Sequence, residues 1–126
     1  MERLDSILIV EDHDSMRQLL GDFLESSFQV HTTKNSFEAM VWLTRGNVPD
    51  LIVLALKNSG DEEIHFLDNI RLSGIYGDIP VILLTGDEAK AEPAFEKVEA
   101  ILNKPFDPLK LKVKMMELLK VKNPFV

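Results

Sequence analysis

Residues 49–60, Pro-Asp-Leu-Ile-Val-Leu-Ala-Leu-Lys-Asn-Ser-Gly, are the stretch on which the reading of the fold turns. Leu51 to Leu56 run without a polar break. A strand with one wet face alternates apolar and polar residues, so an unbroken run of strand length has both faces covered. Asn47-Val48-Pro49-Asp50 supplies the turn into it. A central strand of a parallel sheet, with helices packed on either side, has this character. The run is far too short to span a bilayer.

Outward from that strand the chain alternates strand-length apolar runs with segments of helical period. Ile7–Val10 is a β-branched strand ending at Glu11-Asp12. Met16, Leu19, Leu20, Phe23 and Leu24 then predict a helix over roughly 13–26. Phe28–Thr33 is a more polar strand, suited to a sheet edge, and Phe37, Met40 and Val41 begin a second helix that Gly46 ends. After the central strand, Ile64, Leu67 and Ile70 mark a third helix, stopped near Gly74. Pro80–Leu84 is a fourth strand. Asp87–Val98 predicts one short helix beginning at Pro93, because proline is tolerated only in a first turn. Glu99–Leu102 is a brief fifth strand, and Asp107-Pro108 is an N-cap followed by proline at the first position of a last helix. The sum is a single α/β domain: a doubly wound, five-stranded parallel sheet flanked by five helices. Its ligand site is expected at the carboxyl ends of the strands.

Bulk properties narrow the function. Of the 126 residues, 45% are hydrophobic, enough for a real core. A net charge of −7 argues against an electrostatic nucleic-acid binder. The absence of cysteine excludes disulfides and thiol chemistry. The N-terminus lacks the basic start and apolar stretch of a signal peptide, so a cytoplasmic location without membrane attachment is expected.

Four pieces sit at the expected strand ends: ILIVEDHDSMRQLL (7–20), PDLIVLALKNSG (49–60), IPVILLTG (79–86) and NKPFDPLKL (103–111). In this order and spacing the chain resembles the receiver domains of bacterial two-component signalling, over essentially its whole length. The resemblance implies a flavodoxin-like topology and a phosphorylation pocket. In that family an aspartate ending the third strand takes up a phosphoryl group, with a magnesium ion held partly by an acidic pair. Carried over, Glu11 and Asp12 would be the acidic pair and metal ligands. Thr85 would be the hydroxyl that follows the phosphoryl group, and Lys104 the ammonium that pairs with it, with a cis bond to Pro105.

The departures matter as much as the matches. The phosphoacceptor position falls on Ala55, whose methyl is neither a nucleophile nor a metal ligand. The Met-Pro pair usual just beyond is Asn58-Ser59, and the aromatic residue that reorients on activation is Ile101. The segment between Thr85 and Lys104 is about one helical turn shorter than the family's usual length. These changes read together as a naturally degenerate pseudo-receiver; a conventional receiver carrying an engineered Ala55 is the alternative. With no third carboxylate, magnesium should bind weakly or not at all, and no other cofactor is expected. Lys104 should instead form an ion pair with Asp12 or Glu11.

Other residues receive plainer expectations. Ser59 is a conceivable but unactivated substitute acceptor. His13, His31 and His65 should be solvated, and Trp42 should serve packing. Lys110, Lys112 and Lys114 should form a solvated stripe. Asp12-His13-Asp14-Ser15 also resembles the DxD start of haloacid-dehalogenase-type phosphatases. That family's later acidic motif is missing, and a helical period begins at Met16, where it has a flap. The reading is therefore a non-enzymatic regulatory module of phosphorelay signalling. Its partners would be signalling proteins such as a histidine kinase, another response regulator or an output domain. In the family the common partner face is built by the fourth helix, fifth strand and fifth helix. No oligomeric state follows from the sequence.

Overall fold

In a computed structural model, which describes residues 4–122, five strands alternate with helical segments. The elements are β1 (Ser6–Val10), α1 (Asp14–Leu24), β2 (Gln29–Thr33), α2 (Ser36–Thr44), β3 (Leu51–Ala55) and α3 (Asp61–Leu72), followed by β4 (Val81–Thr85), α4 (Glu88–Ala91), a 3-10 segment (Glu92–Lys97), β5 (Ala100–Asn103) and α5 (Pro108–Lys122). The strands are all parallel, in the order β2-β1-β3-β4-β5, with β3 at the centre. This is the doubly wound parallel sheet that the alternating pattern predicts.

The two-residue period of the strands divides the core in two. Leu8 and Val10, Ile52 and Leu54, and Val81 and Leu83 face α2 and α3. Ile7 and Ile9, Val53 and Ala55, and Ile82 and Leu84 face α1 and α5. β1, β3 and β4 are therefore apolar on both sides. Each fully buried Leu, Ile or Val there contributes about 1.5–3 kcal/mol, which outweighs local propensity and holds the helices against the sheet.

Local chemistry sets the element boundaries. His13 Nδ1 accepts from Met16 N–H (3.4 Å) and caps α1. Asn35 caps α2 by accepting from Glu38 N–H (2.8 Å). Asp107 Oδ1 accepts from Leu109 N–H (2.9 Å) in the first turn of α5, directly before Pro108. α3 starts at Asp61, three residues before its first apolar position, because Asp61, Glu62 and Glu63 suit the positive end of the helix dipole. Before it the chain turns through Asn58 (φ 51°) and Gly60 (φ 81°), and a Cβ at Gly60 would meet Leu56 at 3.3 Å.

The single fourth helix expected from Pro93 is not what forms. Asp87 caps a one-turn α4, and Pro93 then lies in the first turn of the 3-10 segment. Proline's missing N–H is tolerated there, and fully buried Ala91 and Ala94 pull the tight segment onto the core. Arg71 fastens this region. It donates to Lys97 O (2.8 Å), Gly77 O (3.0 Å), Ile79 O (2.7 Å) and Glu99 Oε1 (2.7 Å).

Candidate functional site at the strand ends

β1 delivers Glu11 to the carboxyl edge of the sheet, where Glu11 N–H donates to Thr33 O at 3.0 Å. Its side chain is 1% exposed. Lys104, on the loop after β5, reaches across and donates to Glu11 Oε1 at 2.9 Å. Glu11 Oε2 also accepts from His13 N–H at 3.3 Å. Of the two acidic residues, Glu11 makes the ion pair, while Asp12 lies on the exposed side of the loop. Arg17 holds that loop in place: its guanidinium donates to Glu11 O (3.0 Å) and Asp12 O (3.4 Å) and pairs with Asp14. The pairing keeps the Asp14 carboxyl below its ordinary value of 3.8, chiefly through the hydrogen bond and charge of Arg17.

Ala55 ends β3 beside Leu84 of β4. It is 6% exposed, and its methyl belongs to the α1/α5-side core. Thr85, at the end of β4, is buried, and its hydroxyl is closed in a local turn. It donates to Asp87 O (2.9 Å) and accepts from Asp87 N–H (3.0 Å). Thr85 O accepts from Lys104 N–H at 2.7 Å, which joins the two loops. The Lys104–Pro105 peptide is cis. Ile101 on β5 is half-buried and packs toward the α2/α3-side core. Ser59 is exposed, and its oxygen accepts from Asp61 N–H at 3.4 Å.

The loop from β3 to α3 holds a further carboxylate. Glu63 is 2% exposed, and its Oε1 accepts from Lys57 N–H at 3.0 Å. Burial pushes its carboxyl above the ordinary value of 4.5, against the backbone hydrogen bond and the Lys57 charge, which lower it; the Asp12 charge adds a smaller upward push. Among the described residues, no three His, Cys, Asp or Glu are grouped to hold a metal ion. Glu11 is already neutralised by Lys104, Asp12 is exposed on its loop, and Ala55 offers no oxygen. This donor set does not fit a magnesium ion, which asks for carboxylates that are free to bind it. The arrangement offers a charge-paired, hydrogen-bonded cluster with no nucleophile at its centre.

Several residues lie where the sequence alone did not place them. His31 is not freely solvated: its ring stacks on Trp42 (centroids 4.5 Å apart, planes at 8°), and burial lowers its pKa from 6.5. Trp42 in turn packs against the α2/α3-side core, while His13 and His65 are exposed. Lys110, Lys112 and Lys114 do not share one stripe, since a helix turns about 100° per residue. Lys112 lies over the Phe23 ring at 5.9 Å, and Lys114 pairs with Glu117. Glu63, Arg17 and Arg71 went unnoticed because a charged residue in a helical stretch reads as solvated until its partners are seen. The nearest signal for Glu63 was its place three residues after Gly60, at the mouth of the central strand.

Comparison with known proteins agrees with this architecture. Residues 7–116 match the response regulator receiver domain family. The cyclic di-GMP phosphodiesterase response regulator RpfG of Xanthomonas campestris is 31% identical over 123 residues, covering 93% of this chain and 32% of that protein. The phosphate regulon transcriptional regulatory protein PhoB of Escherichia coli is 26% identical over 121 residues, covering 94% of this chain and 53% of that protein. The chain thus spans about a third to about half the length of these two relatives. Among solved structures, the signal receiver domain of a signal transduction histidine kinase from Syntrophus aciditrophicus superposes with a TM-score of 0.83 at 26% identity, covering 94% of this chain and 92% of that one. Among the described residues, no helix is long and apolar enough to cross a membrane. The family match takes in all five strands and most of α5, and on that ground the chain belongs to the response regulator receiver domains.

Proposed function

We propose that this receiver domain is not phosphorylated and acts as a protein-interaction module in phosphorelay signalling. The observation that carries the reading is Ala55: the end of the central strand holds a core-packed methyl where a phosphoacceptor would need a carboxylate. The neighbouring groups agree with it. Lys104 is spent on Glu11, and the Thr85 hydroxyl is spent on Asp87. With these groups engaged, the domain is no enzyme and binds magnesium weakly. Its partners are signalling proteins such as a histidine kinase, another response regulator or an output domain. Glu11, Asp12, Thr85 and Lys104 persist as a structural remnant of the pocket.

The test is incubation with magnesium and acetyl phosphate, or with beryllofluoride, followed by intact mass spectrometry and NMR. Unchanged mass and unmoved amides around residues 11, 12, 85 and 104 are expected. A stoichiometric phosphoryl adduct, or magnesium-dependent shifts at those residues, overturns the reading.

A further inference from the structure

The sheet ends on one side at β2, which pairs with β1 alone. Gln29 N–H donates to Asp5 O at 2.8 Å, and Thr33 O accepts from Glu11 N–H at 3.0 Å. Main-chain groups along a strand turn alternately to its two sides, so Gln29, His31 and Thr33 face β1. Val30 and Thr32 therefore present their N–H and C=O groups outward, with no strand beside them among the described residues. Edge strands are commonly blunted by lysine, proline or a bulge. Gln29–Thr33 contains none of these and keeps an unbroken register with β1.

Grooves flank this edge on both faces of the sheet. On the α1 face a groove of about 370 Å³ runs beside Val30 and Thr32. Gly21 leaves α1 without a side chain there; a Cβ at that position would touch Thr32 Cγ2 at 3.5 Å. The rim carries Asp14, Arg17, Asp22 and Glu25. Asp14 and Arg17 neutralise one another, while Asp22 and Glu25 are exposed and make no ion pair among the described residues. That rim is therefore acidic. On the α2 face the stacked His31 and Trp42 rings stand between two grooves of about 390 and 400 Å³. Exposed Phe37 lines the first and exposed Val48 the second.

The two faces ask for different side chains at alternate positions. A strand laid antiparallel on β2 exchanges both main-chain bonds with Val30 and with Thr32 through the residues directly opposite them. Those residues point to the α1 face, where cationic side chains meet Asp22 and Glu25. The residues between them point to the α2 face, over the His31–Trp42 stack, where apolar side chains suit Phe37 and Val48. A second copy of this chain is a poorer guest: two-fold pairing of β2 with β2 sets the acidic rim of one copy beside that of the other.

We propose that the outer edge of β2 binds an extended segment of a partner protein, added antiparallel as a sixth strand, in which basic and apolar residues alternate. Main-chain hydrogen bonds supply the affinity and the alternation supplies the selectivity. The proposal rests on the interaction-module reading only in taking a protein as the partner, and it holds with or without phosphoryl uptake at the strand ends.

The probe is the peptide acetyl-Lys-Val-Lys-Val-Lys-Val-Lys-amide, titrated into the isotope-labelled chain at about 0.05 M salt and followed by NMR. Saturable amide shifts centred on Val30 and Thr32 are expected, with a dissociation constant below about 1 mM. The acetyl phosphate test reads adduct mass instead, so the two readings fail independently. Glutamate in place of the lysines, or N-methylation of the lysine backbone nitrogens, should each weaken binding by about tenfold or more. N-methylation of the valines should not, because their N–H groups point away from β2. Asp22→Lys combined with Glu25→Lys, both at exposed positions, should turn the preference toward the glutamate peptide. The absence of saturable shifts at Val30 and Thr32 overturns the proposal, as does binding that ignores peptide charge or survives N-methylation of the lysines. Shifts of the same two amides on concentrating the chain alone assign the edge to a second copy and overturn it as well.

Discussion

Replacing Lys104 by methionine keeps the aliphatic stem and removes the ammonium, which isolates the worth of the Glu11 pair. Glu11 is 1% exposed and Lys104 29% exposed, so the two partners stand in different surroundings. Their 2.9 Å separation corresponds to about 6 kcal/mol of attraction at an effective dielectric near 20. Desolvation of Glu11 takes back a large part, and removing one partner of a fully buried pair costs about 3–5 kcal/mol. Water at the lysine end lowers that figure, so Lys104→Met should cost about 2–3 kcal/mol at pH 7. Glu11→Gln should cost less, about 1 kcal/mol, because the freed ammonium turns to solvent while the amide still accepts hydrogen bonds. The double variant should fall short of the sum, since the two residues interact. Urea denaturation of the four proteins, followed by circular dichroism, measures the full cycle. A loss below about 0.5 kcal/mol for Lys104→Met, or a Glu11→Gln loss as large as that of Lys104→Met, would refute the view that this pair holds the strand ends together.

Three further outcomes follow from the same structure. Arg71→Met leaves the carbonyls of Lys97, Gly77 and Ile79 without their donor; it should cost about 2–3 kcal/mol and speed amide exchange in the 3-10 segment and β5. Ala55→Asp places a carboxylate beside the buried Glu11; it should lose about 1–3 kcal/mol in the absence of divalent ions and regain part of that in millimolar magnesium, read as a shift in melting temperature. Glu63 and His31 should give stability opposite dependences on pH. The raised Glu63 carboxyl favours the fold once protonated, so its contribution is full below 4.5 and is lost as pH rises through its folded value. The lowered His31 favours the fold while neutral, so its contribution is lost as pH falls below 6.5. Denaturation curves of Glu63→Gln and His31→Gln between pH 4 and 8 should flatten the two effects separately, and an unchanged profile in either variant counts against its assignment.

Much of the fold was legible in the residues because parallel-sheet strands are written as unbroken apolar runs. Leu51–Ala55 could not be anything else once helical period resumed on both sides of it. The region around Pro93 was harder, since proline forbids a helix interior without saying whether the first turn is α or 3-10. That choice was made by Ala91 and Ala94 packing on the core and by Arg71 gripping Lys97. Strand boundaries moved by a residue for a similar reason, as β5 extends to Asn103 where Thr85 offers a partner.

The candidate site divides along the same line. Ala55 could be located from chain order alone, because its place depends on counting along a strand. Whether Glu11 or Asp12 would meet Lys104, 93 and 92 positions away in sequence, could not. Side chains in a strand point to alternate sides, so neighbouring acids at its end face different surroundings, and only the packed sheet decides which is buried. By itself the sequence determined the order of elements, the alanine at the end of the central strand and the acidic balance, all properties of local pattern and composition. The tertiary structure decided the partners: Glu11 with Lys104, Glu63 with the Lys57 backbone, His31 with Trp42, and α1 with α5. These contacts depend on how the elements pack and turn in three dimensions, which hydrophobic period and composition do not encode.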